Sequence, residues 1–200
     1  MLKSCLIYAL LLTTLPGNGQ RADSSDYVIY SLIIKSTLSE KVTSAVVIKK
    51  TSRNGYRNPF YVSDTSKAIV ENNWDMCFHS PFDSTDYEFF SVFDKVNPGA
   101  KKLRNTFKVP VNIYFINEAD YGNFFNETTP VAGWQNFYRY YPHSGGVYQF
   151  SDVLYSSDRR KAVVYYSVNR NGLNGAGRVL ILQKINGVWT VKQTGKIWDA

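Results

Sequence analysis

Few side chains in this chain of 200 residues are of the kinds that do chemistry, since it holds only two histidines and two cysteines. His143 follows Pro142 and precedes Ser144-Gly145-Gly146, and Asp152 comes later in the same stretch. A base, a hydroxyl and a carboxylate are the ingredients of serine hydrolysis, in which the imidazole takes the hydroxyl proton and the carboxylate orients the imidazole. A triad is defined by geometry, however, and Pro-His-Ser-Gly-Gly reads equally well as a turn. His143 and Asp152 are therefore candidate catalytic residues of a small hydrolase, set against a turn. Cys77-x-His79 falls short of the three or four ligands that zinc takes. Glu71, Glu88, Glu118 and Asp120 show no pairing of the kind a glycosidase uses. No metal site and no cofactor are expected.

The second candidate is a surface and not a reaction. Asn169 to Gly177 reads NRNGLNGAG, and its glycines would let a ligand approach the backbone. Asn169, Asn171, Gly172, Asn174, Gly175 and Gly177 are the candidate binding residues. The alternative is a long hairpin connection whose glycines only permit positive φ. Without a Gly-Lys-Ser/Thr, and with strands on both sides, it is no phosphate-binding loop.

These residues need elements to hold them, and the clearest is a hairpin. Asn186-Gly187 between RVLILQKI and VWTVKQT suits a type I′ turn, which pairs Ile185 with Val188 and Lys184 with Trp189. Leu180, Leu182, Trp189 and Val191 then share one face. Ala162, Val164, Tyr166 and Val168 have one parity while Val163 and Tyr165 have the other, so this run predicts a central strand covered on both faces. Tyr148 to Tyr155 is its expected partner through Ser157-Asp158-Arg159-Arg160, which makes the C-terminal part a meander.

Upstream, Ser31, Lys35 and Ser39 recur every four positions and predict a helix over 27–38, capped by Asp26 or a preceding serine. Thr43 to Thr51 predicts a buried strand. Asp64-Thr65-Ser66 caps a short helix through Trp74, and Thr85 with Glu88 makes a capping box for a helix burying Phe89, Phe93 and Val96 and ending at Asn97-Pro98-Gly99. Phe107, Val109, Val111, Ile113 and Phe115 alternate with Lys108, Pro110, Asn112, Tyr114 and Ile116 as an edge strand, with Pro110 unsuited to a central one. Asn117 to Phe125 is a turn or short helix. Trp134, Phe137, Tyr138 and Tyr141 predict a helix that Pro142 stops, its aromatic stripe fitting a core better than a ligand platform. The fold class expected is a single α+β domain over 20–200, mainly antiparallel, with short helices on one face and a C-terminal β-meander. A cystatin-like or NTF2-like cone is its specific form by analogy.

MLKSCLIYALLLTTLPGNGQ has a lysine, an apolar run and small residues near its end, so residues 1–19 are expected to be a cleavable signal peptide and the protein secreted or periplasmic. The mature chain would then keep Cys77 alone, a buried small hydrophobe or a reactive thiol, with no internal disulfide. The formal net charge is +7. The runs Lys49-Lys50, Lys101-Lys102 and Arg159-Arg160-Lys161 are scattered and fit solvated turns, so no nucleic-acid partner is expected, and no membrane span. Asn126-Glu127-Thr128 matches the N-glycosylation acceptor.

The run Gly133-Trp134, Phe137-Tyr138, Tyr141-Pro142, Ser144 and Gly146 continues through Phe150-Ser151, Val153 and Lys161-Ala162 with Val164-Tyr165. It ends in Gly172-Leu173, Gly175, Gly177, Gly187 and Trp189. Together with Tyr30-Ser31, Val47-Ile48 and Thr51-Ser52 upstream, this pattern resembles a family of secreted bacterial proteins with no established activity. The resemblance implies an extracytoplasmic α+β domain and lends no catalytic residues. Members of that family often carry cysteines near the glycine-rich loop, where this chain has Asn169 and Asn174. The function expected is a non-catalytic binding or interaction domain, with a protein or a glycan as partner. The alternatives are the small hydrolase above, or an inhibitor or immunity-type protein using the Asn169 to Gly177 loop as a wedge.

Overall fold

The computed structural model describes residues 22–53, 56, 67–95, 100–126 and 129–200. The expected signal segment, the cap at 64–66, the helix end at 97–99 and most of the glycosylation triplet lie outside the described residues. In chain order the elements are α1 (Ser24–Thr37), β1 (Ser44–Ile48), α2 (Lys67–Phe78), α3 (Ser84–Lys95), β2 (Asn112–Ile116), α4 (Glu118–Asn123), α5 (Pro130–Tyr140), β3 (Ser144–Phe150), β4 (Leu154–Tyr155), β5 (Lys161–Asn171), β6 (Asn174–Ile185) and β7 (Val188–Asp199). The strands form one mixed sheet in the order β2-β1-β3-β5-β6-β7, with β4 also paired to β5. β1 is parallel to both neighbours, because α2 and α3 carry the chain from β1 to β2, and α4 and α5 carry it from β2 to β3. The remaining pairings are antiparallel, so the fold is the expected α+β class with a C-terminal meander.

The strand of two parities sits near the middle of this sheet. Ala162, Val164, Tyr166 and Val168 of β5 join Tyr30, Ile33 and Ile34 of α1 in one cluster. On the opposite face Val163 and Tyr165 meet Trp74, Cys77 and Phe78 of α2 and Phe90 and Phe93 of α3. A third cluster, on that same second face, packs Trp134 and Phe137 of α5 against Val46, Ile116 and Val147. The helices thus divide between both faces, where the sequence suggested one. A sheet wrapped around a single helix, as in a cystatin-like or NTF2-like cone, leaves Val163, Tyr165, Val179 and Ile181 without cover; here they are all fully buried.

The Asn186-Gly187 turn takes φ 50° and 84°, and the pairs Ile185 with Val188 and Lys184 with Trp189 form as the turn type requires. Only Leu180, Leu182 and Trp189 of the expected face are buried; Val191 stays 37 % exposed. Phe107, Val109 and Val111 pack on the first cluster, yet regular pairing begins only at Asn112, beyond the missing N–H of Pro110. Ser31 is buried and not on a wet helix face, since its Oγ accepts from Lys108 N at 2.9 Å. Two caps also differ from expectation. Asp23 caps α1 with Asp26 reciprocating, and Asp83 caps α3 by accepting from Thr85 N and Asp86 N at 3.0 Å each. On this helix Phe90 and Phe93 are buried, and Phe89 is only partly buried against the same cluster. An aspartate one residue ahead of Ser84 outcompetes the Thr85 hydroxyl for the free helix N–H groups.

Candidate functional site

The α5 helix starts where Thr129 Oγ1 accepts from Ala132 N at 3.3 Å and Pro130 occupies the first turn. Its spacing puts Trp134 and Phe137 inward. Tyr138 then reaches across to the neighbouring hairpin, donating from its hydroxyl to Arg170 O at 2.7 Å. That hydroxyl holds its proton above the usual tyrosine range, because burial outweighs the nearby Arg170 charge.

The hairpin is the Asn169 to Gly177 stretch, and it is no open loop. β5 and β6 extend into it, pairing Asn169 with Gly175 and Asn171 with Asn174, so only Gly172-Leu173 turns. Asn171 Oδ1 closes the turn by accepting from Leu173 N at 2.8 Å. Its glycines do not supply positive φ. A Cβ on Gly177 would lie 2.1 Å from Trp198 Nε1, and one on Gly175 would lie 3.0 Å from the same ring. Trp198 crosses this bare strand surface and donates from Nε1 to the Tyr165 hydroxyl at 2.9 Å. The glycines therefore seat an indole, and strands replace the long connection that their number suggested.

Between α5 and this hairpin lies a groove of about 1270 Å³, walled by Trp134, Tyr138 and Val131 on one side and by Arg170 and Leu173 on the other. A smaller depression of about 340 Å³, lined by Thr37, Ser39, Val42 and Ser144, shares Arg170 and Asn174 with it. Leu173 at the hairpin tip is 88 % exposed and Val131 is 68 % exposed. Of the candidate binding residues, Asn171, Gly172 and Asn174 line the groove, while Gly175 and Gly177 serve Trp198. The part played by α5 was not expected from the sequence, since its aromatic stripe is both core and wall: Phe137 is buried while the edge of Tyr138 is not.

His143 and Asp152 are not brought together. His143 is exposed just before β3 with φ 56°, and its carbonyl accepts from Thr43 N at 3.1 Å, which is turn geometry. Asp152 follows the far end of β3, a seven-residue strand, so about 20 Å of extended chain separates them. Cys77 is buried beside Gly195, and burial pushes its thiol up to about 12, so the buried-hydrophobe alternative describes it. Among the described residues no group of three or more His, Cys, Asp or Glu could hold a metal ion, and no helix is long and apolar enough to cross a membrane.

Asp152 instead joins a buried ionic cluster that sequence separation concealed. Asp152 and Asp26 are 7 % and 1 % exposed, and Lys101 Nζ sits 3.9 and 3.5 Å from them. Thr51 Oγ1 donates to Asp152 at 2.8 Å, and the Tyr155 hydroxyl donates to Asp26 at 3.0 Å. Lys161 likewise meets the fully buried Asp86 at 2.8 Å, so two of the basic runs tie down buried acids and are not solvated turns. Burial raises both the Asp152 and Asp26 carboxyls, against the Thr51 bond and Lys101 for the first and Lys101 for the second; the Asp26 charge also raises Asp152 and the Asp23 charge raises Asp26, while Arg53 lowers Asp152. A carboxyl whose folded value lies above its ordinary 3.8 favours the folded state fully below that value, and this contribution is lost as pH rises through the raised one. Asp152→Asn keeps an acceptor for Thr51 and removes the buried charge. It is expected to raise Tm by about 2–4 °C at pH 7, the size of a ~1 kcal/mol change in a domain of this length, and to leave it nearly unchanged at pH 3. Thermal melts at the two pH values check this; equal shifts at both, or a loss at pH 7, would refute it.

Comparison of the chain with models of protein families, with curated proteins and with solved structures found no match. What the geometry defines is an α+β domain with helices on both sheet faces and an apolar groove edged by arginines.

Proposed function

We propose that this protein is a non-catalytic binding domain, acting outside the cytoplasm, whose ligand lies in the groove between α5 and the β5–β6 hairpin. The observation that carries the reading is the groove itself. Its walls are largely apolar, its two rims are the exposed Leu173 and Val131, and its polar groups come from both walls, Gln135 and Arg139 on α5 and Arg170, Asn171 and Asn174 on the hairpin. A concave apolar surface with a small number of placed polar groups is the usual form of a ligand site. Its walls are also held rigidly. The Tyr138 bond to Arg170 O ties α5 to the hairpin, and the β-ladder keeps the tip from opening. The carboxylate that would orient the His143 imidazole in a hydrolase is not beside it, because β3 separates His143 from Asp152.

The test uses a neutral apolar fluorophore. N-phenyl-1-naphthylamine is expected to gain fluorescence with the wild-type protein, and Leu173→Asp is expected to weaken that binding about tenfold or more. Placing a charge on an apolar wall costs of order 1–3 kcal/mol of ligand contact. The Tm of the variant stays within about 2 °C of wild type, as expected for an exposed position. Wild-type-like binding by Leu173→Asp would sink the assignment of the groove.

A further inference from the structure

We infer that the groove takes a small amphiphile with an anionic head, its apolar body along Trp134, Tyr138 and Leu173 and its head held at the arginine-bearing edge. The inference rests on the groove being the binding site. Its first support is charge. The lining holds Arg139 and Arg170 and no carboxylate. Six other basic groups, Lys101, Arg159, Lys161, Arg178, Lys192 and Lys196, each lie against an aspartate. Among the described residues neither groove arginine makes an ion pair. Arg139 is exposed on the last turn of α5 and makes no hydrogen bond to a described residue either. Arg170 is fixed, with Nη2 donating to Thr37 O at 3.1 Å and its own carbonyl taken by Tyr138. One guanidinium is thus positioned and one is unengaged, and each suits an incoming carboxylate or phosphate better than a cation or a neutral group.

The second support is the distribution of polar groups. An extended peptide brings a backbone donor and acceptor at every residue, more than Gln135, Arg139, Arg170, Asn171 and Asn174 of the lining can answer. An amphiphile has its polar atoms at one end only. The smaller depression that shares Arg170 and Asn174 with the groove offers that end the exposed Ser39, the Thr37 hydroxyl there being bonded to Ile33 O and Tyr148 and that of Ser144 to Gly146.

The experiment is calorimetric titration of the full chain at low salt with decanoate, decanol and a leucine-rich hexapeptide ending in a free carboxylate. Decanoate is expected to bind about ten times more tightly than decanol. Arg139→Gln removes a charge without removing any internal contact, and it is expected to erase most of that preference while decanol binding is unchanged. Asn174→Asp, which puts a carboxylate where the two depressions join, is expected to weaken decanoate by a similar factor. Raising the salt compresses the preference, because the arginine is exposed. Equal affinity for decanoate and decanol, or a preference that survives both substitutions, overturns the anionic head and leaves the groove assignment standing. Binding of neither overturns both. Binding of the hexapeptide without decanoate transfers the groove to a protein partner and overturns the amphiphile.

Discussion

Phe137→Ala is expected to cost about 3–5 kcal/mol, the range for emptying a fully buried phenylalanine site. Phe137 is 0 % exposed and is the hub of the third core cluster. Its ring lies 5.3 Å from Trp134, 5.1 Å from Tyr141 and 5.6 Å from Phe124, in tilted and edge-on arrangements. These neighbours are themselves large and rigid, so they collapse poorly into the space left behind, and the cost falls toward the upper part of the range. In a domain of this length the change corresponds to a Tm lower by about 10 °C or more. The loss also reaches the site. α5 is held to Val46, Ile116 and Val147 through Phe137, so fluorophore affinity falls together with stability. Chemical denaturation and the binding titration measure both. A cost below ~1.5 kcal/mol would mean that α5 is not anchored by this ring.

Gly146→Ala is expected to cost about 3 kcal/mol for a different reason. Gly146 takes φ 107°, where a side chain is strained whatever the space around it, and a Cβ would stand 2.4 Å from Asn169 O. The obstacle is backbone, paired through the β3–β5 ladder at Val147 and Asn169, so it cannot swing aside as a side chain would. The next nearest atom is Cγ of Arg170, at 3.0 Å. Relief therefore comes by moving the base of the hairpin, and with it the fixed guanidinium. The variant is expected to melt about 6–12 °C lower and to bind decanoate more weakly than its folded fraction explains. A variant that melts within 2 °C of wild type would show that this position has room for a side chain. Gly187→Ala is the useful contrast, since a Cβ there meets nothing within 4 Å and only the φ of 84° is at issue.

Where local chemistry decides, the elements could be read from the residues alone. The Asn186-Gly187 turn, the two parities of β5, the edge character of β2 and the helix that Pro142 stops all follow from φ preferences, alternation and a missing N–H, each acting over a few residues. The same short reach explains the misplaced caps. Asp23, Asp83 and the hydroxyl of Thr85 compete for the same kind of helix N–H, and the winner depends on where the first turn begins.

The groove could not be read that way, because its walls are α5 and a hairpin some thirty residues further on, joined by one hydrogen bond from Tyr138 to Arg170. Nor could the cluster of Asp26, Lys101 and Asp152, three residues that share a site only because α1, the approach to β2 and the end of β3 converge on one face. The sequence by itself determined most of the helices and the tight Asn186-Gly187 turn, and that β5 must be covered twice, but not that strands run on into the glycine-rich stretch. Tertiary structure alone decided that the glycines of the hairpin seat Trp198 and that His143 stands apart from Asp152. It alone also decided that two arginines face an apolar wall. Backbone preference is a property of neighbours in the chain, whereas a site is a property of neighbours in space, and packing chooses the second set only after the first is in place.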